Sequence, residues 1–357
     1  MRAVIYHEVG GTPVLADVPE PECAPDGVVL RVGAAGVCRS DWHSWLGHDP
    51  VPLPVVPGHE YAGEVVEVGR DVARWRVGDR VTVPFACGCG RCDWCAAGMT
   101  NVCPDQTQPG FTSFGAWADL VAVPAADTNV VALPAALPYV DAASLGCRFA
   151  TAYHAVASHG VPRPGDWVAV HGCGGVGLSA VLVAAQRGAR VIGVDVSPGA
   201  REAASALGAE VVVAAEGLEP EAIGDAVREL TGGGAHVSVD ALGGASSMTA
   251  SIASLRRHGR HVQVGLMLES AASPAVPMGR VLAEELEIYG SHGMPVSDYP
   301  EMLALVASGV LDVSRLVGRV ITLEEAPAAL EAMSAPPTTP GMTVIDLVEG
   351  GIRRRRW

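Results

Sequence analysis

From about residue 149 onward the chain alternates short apolar strands with helix-length segments, and this alternation constrains the fold most. Six strands are predicted, at 167–172, 190–195, 210–213, 237–242, 261–266 and 286–291. Helices are predicted between them, over 175–187 and near 199–207, 220–231 and 246–257. Strand–helix alternation of this length is typical of a parallel, doubly wound sheet with helices on both faces, so we expect an α/β domain here.

The link after the first of these strands, HGCGGVGLS, is rich in glycine. Gly172, Gly174 and Gly177 fit the pattern G-x-G-x-x-G, in which the glycines allow a tight turn, close approach of a pyrophosphate and close helix packing. Asp195 ends the next strand, where a carboxylate binds ribose hydroxyls and repels a 2′-phosphate. The nearest following arginine is Arg201. The pattern predicts a Rossmann domain that binds NAD rather than NADP; a glycine-rich turn beside a solvated aspartate is the alternative.

The segments from residue 1 to about 145 are short, β-rich and broken by Pro and Gly, as in GVVLRVGAAGVC, YAGEVVEVG, DRVTVPF and ADLVAVPA. They predict an antiparallel, barrel-like domain. The last segment has a predicted helix at 298–308, a strand near 317–323, a helix at 324–333 and the strand MTVIDLV. We expect it to fold back onto the first domain. The predicted domains are therefore 1–148 together with 291–357, and 149–290.

Five cysteines lie between residues 87 and 103. Four of them have the spacing C-x2-C-x2-C-x7-C, which can place their sulfurs around one tetrahedral zinc ion: Cys89, Cys92, Cys95 and Cys103. Four thiolates leave no open position, so such a site is structural. Unligated or disulfide-bonded cysteines are the alternative, and disulfides are disfavoured in a reducing compartment. Spacing alone does not exclude Cys87 as a ligand.

Composition excludes several classes of function. The net charge is −15, and all 24 basic side chains are arginines. An acidic chain without a basic patch argues against nucleic acid or an anionic membrane as a partner. The run Arg353–Arg356 is the one exception; it is expected to be a solvated, frayed end, with a membrane or partner contact as the alternative. The N-terminus does not resemble a signal peptide, and no apolar stretch of about 18 residues occurs, so we expect a cytoplasmic protein without a membrane partner.

Three further candidates are dispersed along the chain. Cys38 lies in GVCRSDWH, His59 in PGHEYAG and Cys147 in SLGCRFATAYH. By spacing alone they are unconnected, and a lone histidine or buried cysteine is more often a core residue than a metal ligand.

Together these motifs resemble the zinc-dependent alcohol dehydrogenases of the medium-chain dehydrogenase/reductase superfamily. The resemblance covers nearly the whole chain and is carried by GVCRSDWH, GHE, the four-cysteine segment, LGCRFAT and GCGGVG. It implies a GroES-like β-barrel catalytic domain beside the Rossmann domain, two zinc ions per chain and NAD. It also implies a homodimer or homotetramer acting on a small-molecule alcohol or carbonyl compound.

The resemblance also implies roles for single residues. Cys38, His59 and Cys147 resemble the ligands of a catalytic zinc with an open fourth position. Asp41 resembles the carboxylate that orients the His59 ring. Glu60 resembles the acid beside the metal and is counted among the candidate metal-binding residues; a structural salt-bridge partner is the alternative. The resemblance further implies a proton relay from Ser40 through the nicotinamide ribose to His43. Cofactor contacts are implied for Arg39, at the pyrophosphate, and for Thr151, Gly175, Val176 and Val264. Substrate contacts are implied for Phe85 and Phe111, for which ordinary core packing is the alternative.

Three positions depart from the family pattern. Arg148 directly follows Cys147, where small residues are common. Asp49 lies where the family often has an apolar pocket residue. Ile345 stands where some relatives have a second phosphate-binding arginine.

The implied reaction is the reversible oxidation of an alcohol by NAD to an aldehyde or ketone. A dehydrogenase of the same superfamily that acts on a polyol or another polar alcohol is the alternative. Such relatives usually have Glu at the third ligand position, so Cys147 weighs against it. A non-catalytic protein that binds NAD and zinc is a more distant alternative, in which Ser40 and His43 would be surplus.

Overall fold

The structure is a computed structural model that describes residues 1–268, 272–336 and 339–348. The chain divides into two compact units. The first holds Met1–Ala150 and takes up the chain again from Gly293, and the second holds Thr151–His292 together with Thr339–Gly341. The predicted solvated end Arg353–Arg356 lies outside the described residues.

The N-terminal part of the first unit is β-rich, as the sequence predicts. Its strands are β1 (Arg2–Ile5), β2 (Val14–Asp17), β3 (Val28–Val37), β4 (Tyr61–Val68), β5 (Arg80–Val83), β6 (Leu120–Val123) and β7 (Val131–Ala132). Its helices are short: α1 (Arg39–Trp45), α2 (Asp93–Ala96), α3 (Ala126–Asn129) and α4 (Tyr139–Ala143), with a 3₁₀ turn at Thr100–Val102 and a π-helical turn at Leu145–Phe149.

The second unit alternates strands and helices. After α5 (Ala150–His154) and a π-helical turn (Ala155–Gly160) come β8 (Trp167–His171), α6 (Gly175–Gln186), β9 (Arg190–Asp195), α7 (Pro198–Leu207), β10 (Ala209–Ala214), α8 (Pro220–Leu230), β11 (Ala235–Asp240), α9 (Ala245–Ala253), β12 (Leu255–Gln263), α10 (Met278–Glu284) and β13 (Glu287–Gly290). The six strands form one parallel sheet in the order β10-β9-β8-β11-β12-β13. The predicted doubly wound sheet is confirmed.

The chain then completes the first unit. Its elements are α11 (Tyr299–Ala307), β14 (Val317–Ile321), α12 (Ala326–Ala332) and β15 (Met342–Asp346), with 3₁₀ turns at Val296–Asp298, Val313–Leu316 and Leu323–Glu325. The larger sheet of this unit runs β14-β15-β3-β4-β5-β7, and β6 also pairs with β3, whereas β1 and β2 form a separate antiparallel pair. Only β14 and β15 pair in parallel among these neighbours.

Each unit has its own apolar core. Trp117, Tyr6 and Tyr61 are among the large side chains buried in the barrel core of the first unit. Alanine and valine from the sheet of the second unit pack with Trp167 and Ile192. Small aliphatic residues therefore build most of both cores, as expected for a chain with few aromatic residues.

The main difference from the predicted elements lies at β12. The helix predicted to reach residue 257 ends at Ala253, and β12 begins at Leu255 rather than 261. Leu255 already pairs with Ala235, and the register then shifts before Arg260 pairs with Val237. His258 has a φ of 56° within the shifted part. Because the register shifts here, the apolar and polar residues at the start of β12 do not alternate regularly, and the sequence pattern does not reveal a strand before residue 261.

Candidate metal centres and cofactor site

Cys38, His59 and Cys147 converge in the first unit, although 109 positions separate the first from the last. Their ligand atoms all lie within 4.8 Å of one another. Strands β3 and β4 pair antiparallel up to Ala35 and Tyr61, so the residues just beyond this pair, Cys38 and His59, meet at one sheet end. The π-helical turn Leu145–Phe149 brings Cys147 to the same place.

Asp41 fixes the orientation of the His59 ring. The Nδ1–H of His59 donates to Asp41 Oδ1 at 2.9 Å, and the backbone N–H groups of Gly58 and Cys38 donate to the same carboxylate at 3.2 and 2.9 Å. The second ring nitrogen, Nε2, is buried and has no hydrogen-bond partner among the described residues. A buried lone pair without a donor is costly unless a metal takes it, so the site fits a zinc ion.

The thiols of Cys38 and Cys147 shift each other's pKa in opposite directions. A hydrogen bond with Cys147 holds the pKa of Cys38 well below its usual value, and the same bond raises the pKa of Cys147. A bound cation would stabilise both sulfurs as thiolates. Zinc binding to such ligands releases protons for this reason.

Glu60 does not join this group of ligand atoms. Its carboxylate instead pairs with Arg148, whose Nε lies 3.0 Å from both oxygens and whose Nη2 lies 2.5 Å from Oε2. Burial raises the pKa of Glu60, and the nearby guanidinium opposes this shift. The structure thus places Glu60 against Arg148. In the sequence, this pair could be suspected only because a charged residue directly follows each of two candidate ligands, His59 and Cys147.

The residues of helix α1 lie beside the same centre. The Ser40 hydroxyl is 3.8 Å from the Cys38 sulfur. His43 is half-buried, and its Nδ1 lies 3.1 Å from Nδ1 of His48, a neighbour that the sequence did not indicate. Arg39 donates to the carbonyl of Met333 and lies over the Trp42 ring, 4.7 Å from its centroid.

Two aromatic rings flank His59. The ring of Phe111 lies edge-on at 4.9 Å between centroids, and that of Phe85 at 6.0 Å. Both side chains are largely buried. The structure therefore brings the two predicted pocket residues against a candidate metal ligand.

The four clustered cysteines form a second group. The sulfurs of Cys89, Cys92, Cys95 and Cys103 also lie within 4.8 Å of one another, and all four thiols are free. Backbone N–H groups of Cys89 and Cys95 point at the sulfurs of Cys103 and Cys92. Chiefly through the backbone N–H of Arg91, the pKa of Cys89 falls to about 7. The donor set is that of a closed zinc site.

Cys87 faces the other way. It is fully buried in the barrel core, its backbone pairs with Thr107, and its sulfur contacts the carbonyl of Pro84 at 3.6 Å. Burial raises its pKa to about 12. Cys87 is therefore a core thiol, a placement that the sequence left open.

The glycine-rich turn of the second unit has the shape of a phosphate-binding loop. Gly172 has a φ of 88°, and a Cβ on Gly177 would lie 1.7 Å from the carbonyl oxygen of Gly172. A Cβ on Gly174, by contrast, would meet no atom within 4 Å. Gly174 precedes α6, which begins with Gly175 and Val176, so open space adjoins a helix N-terminus. This cradle fits a dinucleotide pyrophosphate.

Asp195 closes this turn from the end of β9. Its carboxylate accepts the backbone N–H of Cys173 at 2.7 Å and that of Ser197 at 2.8 Å. Arg201 is occupied by the carbonyls of Asp195 and Val196. Val264 follows β12, at the carboxyl end of the sheet. The Thr151 hydroxyl is buried and has no hydrogen-bond partner in the described part of the chain.

Known proteins are similar to this chain over nearly its full length. Residues 24–135 match the alcohol dehydrogenase GroES-like domain, and residues 175–308 match the zinc-binding dehydrogenase family. An alcohol dehydrogenase from Geobacillus stearothermophilus is 32% identical, covering 93% of this chain and 95% of its own. A sorbitol dehydrogenase from Bacillus subtilis (strain 168) is also 32% identical, covering 93% of each chain. The solved structure of alcohol dehydrogenase TADH from Thermus sp. ATN1 is 32% identical with a TM-score of 0.89, covering 97% of this chain and 99% of its own.

The chain is therefore an oxidoreductase with a GroES-like and a Rossmann-type domain. It belongs to the zinc-type medium-chain alcohol dehydrogenases, which use zinc and a nicotinamide cofactor on small-molecule alcohols. The family, fold class and enzyme class predicted from the sequence are confirmed. In the described part of the chain, no helix has both the length and the apolar character needed to cross a membrane.

Proposed function

We propose that this protein oxidises an alcohol reversibly to an aldehyde or ketone, with NAD as hydride acceptor and two zinc ions per chain. The observation that carries the proposal is the convergence of Cys38, His59 and Cys147, where the buried His59 Nε2 has no hydrogen-bond partner within residues 1–268, 272–336 and 339–348. Three protein ligands leave one position for substrate, as catalytic zinc requires. The four-cysteine group supplies the second, structural site.

Zinc at the three-ligand site would lower the pKa of the alcohol oxygen, and the nicotinamide ring would accept the hydride. The chain's own residues do the rest. Asp41 holds the His59 ring in the tautomer whose Nε2 lone pair could bind the zinc. Phe85 and Phe111 cover the His59 ring and limit the access of water.

Proton removal is assigned to Ser40 and His43. The Ser40 hydroxyl lies next to a metal ligand, where it can accept the alcohol proton while it donates its own proton through the nicotinamide ribose towards His43. Burial lowers the pKa of His43, so its ring is neutral near pH 7 and can accept a proton in turn. General base catalysis of this kind contributes roughly 10²- to 10⁴-fold in rate.

NAD rather than NADP is proposed because of Asp195. A carboxylate at the end of β9 repels a 2′-phosphate, and Arg201 is held by backbone carbonyls of the same turn. Thr151, Val264 and Arg39 are proposed as further cofactor contacts. The proposed domains are 1–148 with 291–357 and 149–290, and we further propose a cytoplasmic homodimer or homotetramer.

A polyol or other polar alcohol is the second candidate substrate. The sorbitol dehydrogenase from B. subtilis is as similar as the alcohol dehydrogenase named above, and Asp49 is a half-buried carboxyl whose pKa burial raises. Cys147 in the third ligand position favours simple alcohols.

The test is a panel of primary, secondary, aromatic and polyhydric alcohols, each followed as NADH absorbance and repeated with NADP. We expect NAD-linked oxidation of simple alcohols. Exclusive oxidation of polyols would favour the second candidate, and no turnover of any alcohol by zinc-loaded protein would refute both.

A further inference from the structure

The residues that follow two of the proposed zinc ligands form a buried ion pair. Glu60 follows His59, and Arg148 follows Cys147. The guanidinium contacts both carboxylate oxygens, as described above, and the backbone N–H of Arg148 adds a bond to Glu60 Oε1 at 2.9 Å. These contacts join two ligand-bearing segments that are 88 residues apart in the chain.

The Glu60–Arg148 pair is buried and packs closely against the backbone of strand β3. The side chain of Glu60 is fully buried, and that of Arg148 is only 8% exposed. A Cβ on Gly36 of strand β3 would lie 2.2 Å from Glu60 Oε2 and 3.0 Å from Arg148 Nη2. A side chain at residue 36 would therefore collide with the pair.

A buried carboxylate needs a cation and hydrogen bonds, and Arg148 supplies both to Glu60. A metal ion bound by His59 would be a second cation close to this carboxylate. Carboxylate oxygens are common zinc ligands. The Glu60 carboxylate would therefore compete with substrate for the fourth ligand position of the metal, unless another group holds the carboxylate away.

We propose that Arg148 is a positioning residue that holds the Glu60 carboxylate off the metal and so keeps the fourth ligand position open to substrate. This inference rests on the zinc site proposed above. The planar guanidinium suits the role because it engages both oxygens at once, whereas a lysine ammonium acts as a point charge.

The experiment uses cobalt-substituted full-length protein and imidazole, a neutral ligand that needs an open metal position. In the wild type, imidazole should shift the visible cobalt absorption in a saturable way, whereas cobalt at the closed four-cysteine site should not respond. In Arg148→Met the unpaired carboxylate should bind the metal, and the affinity for imidazole should fall by about tenfold or more. Glu60→Gln is the matched control, since its amide oxygen can still accept the Arg148 N–H, and it should bind imidazole as the wild type does. The double variant should recover imidazole binding.

The outcomes separate this inference from the proposed function. A wild-type cobalt protein that does not respond to imidazole would count against the zinc site itself. A responsive wild type with unchanged imidazole affinity in Arg148→Met would overturn the role of Arg148 alone, as would loss of the cobalt from that variant, because an added carboxylate ligand should retain it. If Arg148→Met does not fold, Arg148→Lys replaces it. A smaller fall in imidazole affinity is then expected, and no fall overturns the proposal.

Discussion

The Nδ1–H of His59 donates to the carboxylate of Asp41 at 2.9 Å, while the same carboxylate accepts the backbone N–H of Cys38. One acidic side chain therefore orients one candidate zinc ligand and anchors the backbone of another. Partners of this kind fix the ring tautomer and raise the basicity of the coordinating nitrogen.

Asp41→Asn should weaken zinc binding at the three-ligand site by roughly 10- to 100-fold, because the neutral amide holds the His59 ring less firmly. The measurement is zinc release to a competing chelator, with the zinc of the four-cysteine site as the internal reference. Equal release from variant and wild type would refute the orienting role of Asp41.

The four-cysteine site should be structural. Cys92→Ser should remove one zinc per chain and lower the thermal stability, because three remaining thiolates hold the ion poorly. Cys87→Ala is the matched control and should retain both zinc ions, since this thiol faces the barrel core. Metal analysis measures the zinc content of each variant, and thermal unfolding measures its stability. Two zinc ions in Cys92→Ser, or a lost zinc in Cys87→Ala, would contradict the assignment.

Cofactor choice should depend on Asp195. Replacing it with Ser should lower the ratio of kcat/KM for NAD to that for NADP by at least about tenfold, because the repulsion of the 2′-phosphate is removed. Glu202→Gln, an acid on the neighbouring helix α7, is the control and should leave the ratio near its original value. Steady-state kinetics with both cofactors give the ratio. An unchanged ratio in the Asp195 variant would leave NAD specificity without this explanation.

The sequence predicted the second unit well, because strand–helix alternation and the Gly172–Gly177 turn are local patterns. The four-cysteine group was equally accessible, since its spacing is local too. The three dispersed residues were not: Cys38 and His59 meet through the pairing of β3 with β4, and Cys147 joins them through a π-helical turn. Resemblance to a family, rather than spacing, indicated that set.

Other features could not be predicted from local patterns. Glu60 and Arg148 are 88 positions apart in the chain. The guanidinium of Arg148 binds both carboxylate oxygens of Glu60, and no periodicity in the sequence predicts such a contact. Cys87 lies two residues from a candidate ligand, yet its backbone pairing with Thr107 turns it into the core. In both cases tertiary packing decides where the side chain lies.

His171 should make stability depend on pH. Burial, with a smaller effect from His261, lowers the pKa of His171 to about 3, below its unfolded value of 6.5. The stability gained by burying His171 in its neutral form is fully present above pH 6.5 and is lost as the pH falls towards the folded pKa. Between pH 8 and pH 5 it should cost about 2 kcal/mol in the free energy of unfolding.

His171→Asn should reduce this loss, because a neutral amide can still donate to the Ser254 hydroxyl that now accepts from His171. Urea unfolding of wild type and variant at several pH values measures the difference, and effects of the zinc ligands cancel in the comparison. If both proteins lose the same stability between pH 8 and pH 5, His171 is not the group responsible.

Cys147→Ala tests most directly whether the chemistry occurs at a metal held by Cys38, His59 and Cys147. Circular dichroism, zinc content and alcohol-dependent NADH formation are measured on the variant beside Cys87→Ala. We expect Cys147→Ala to fold, to retain one zinc per chain at the four-cysteine site, and to form no NADH. Full alcohol-dependent NADH formation by Cys147→Ala would contradict this expectation.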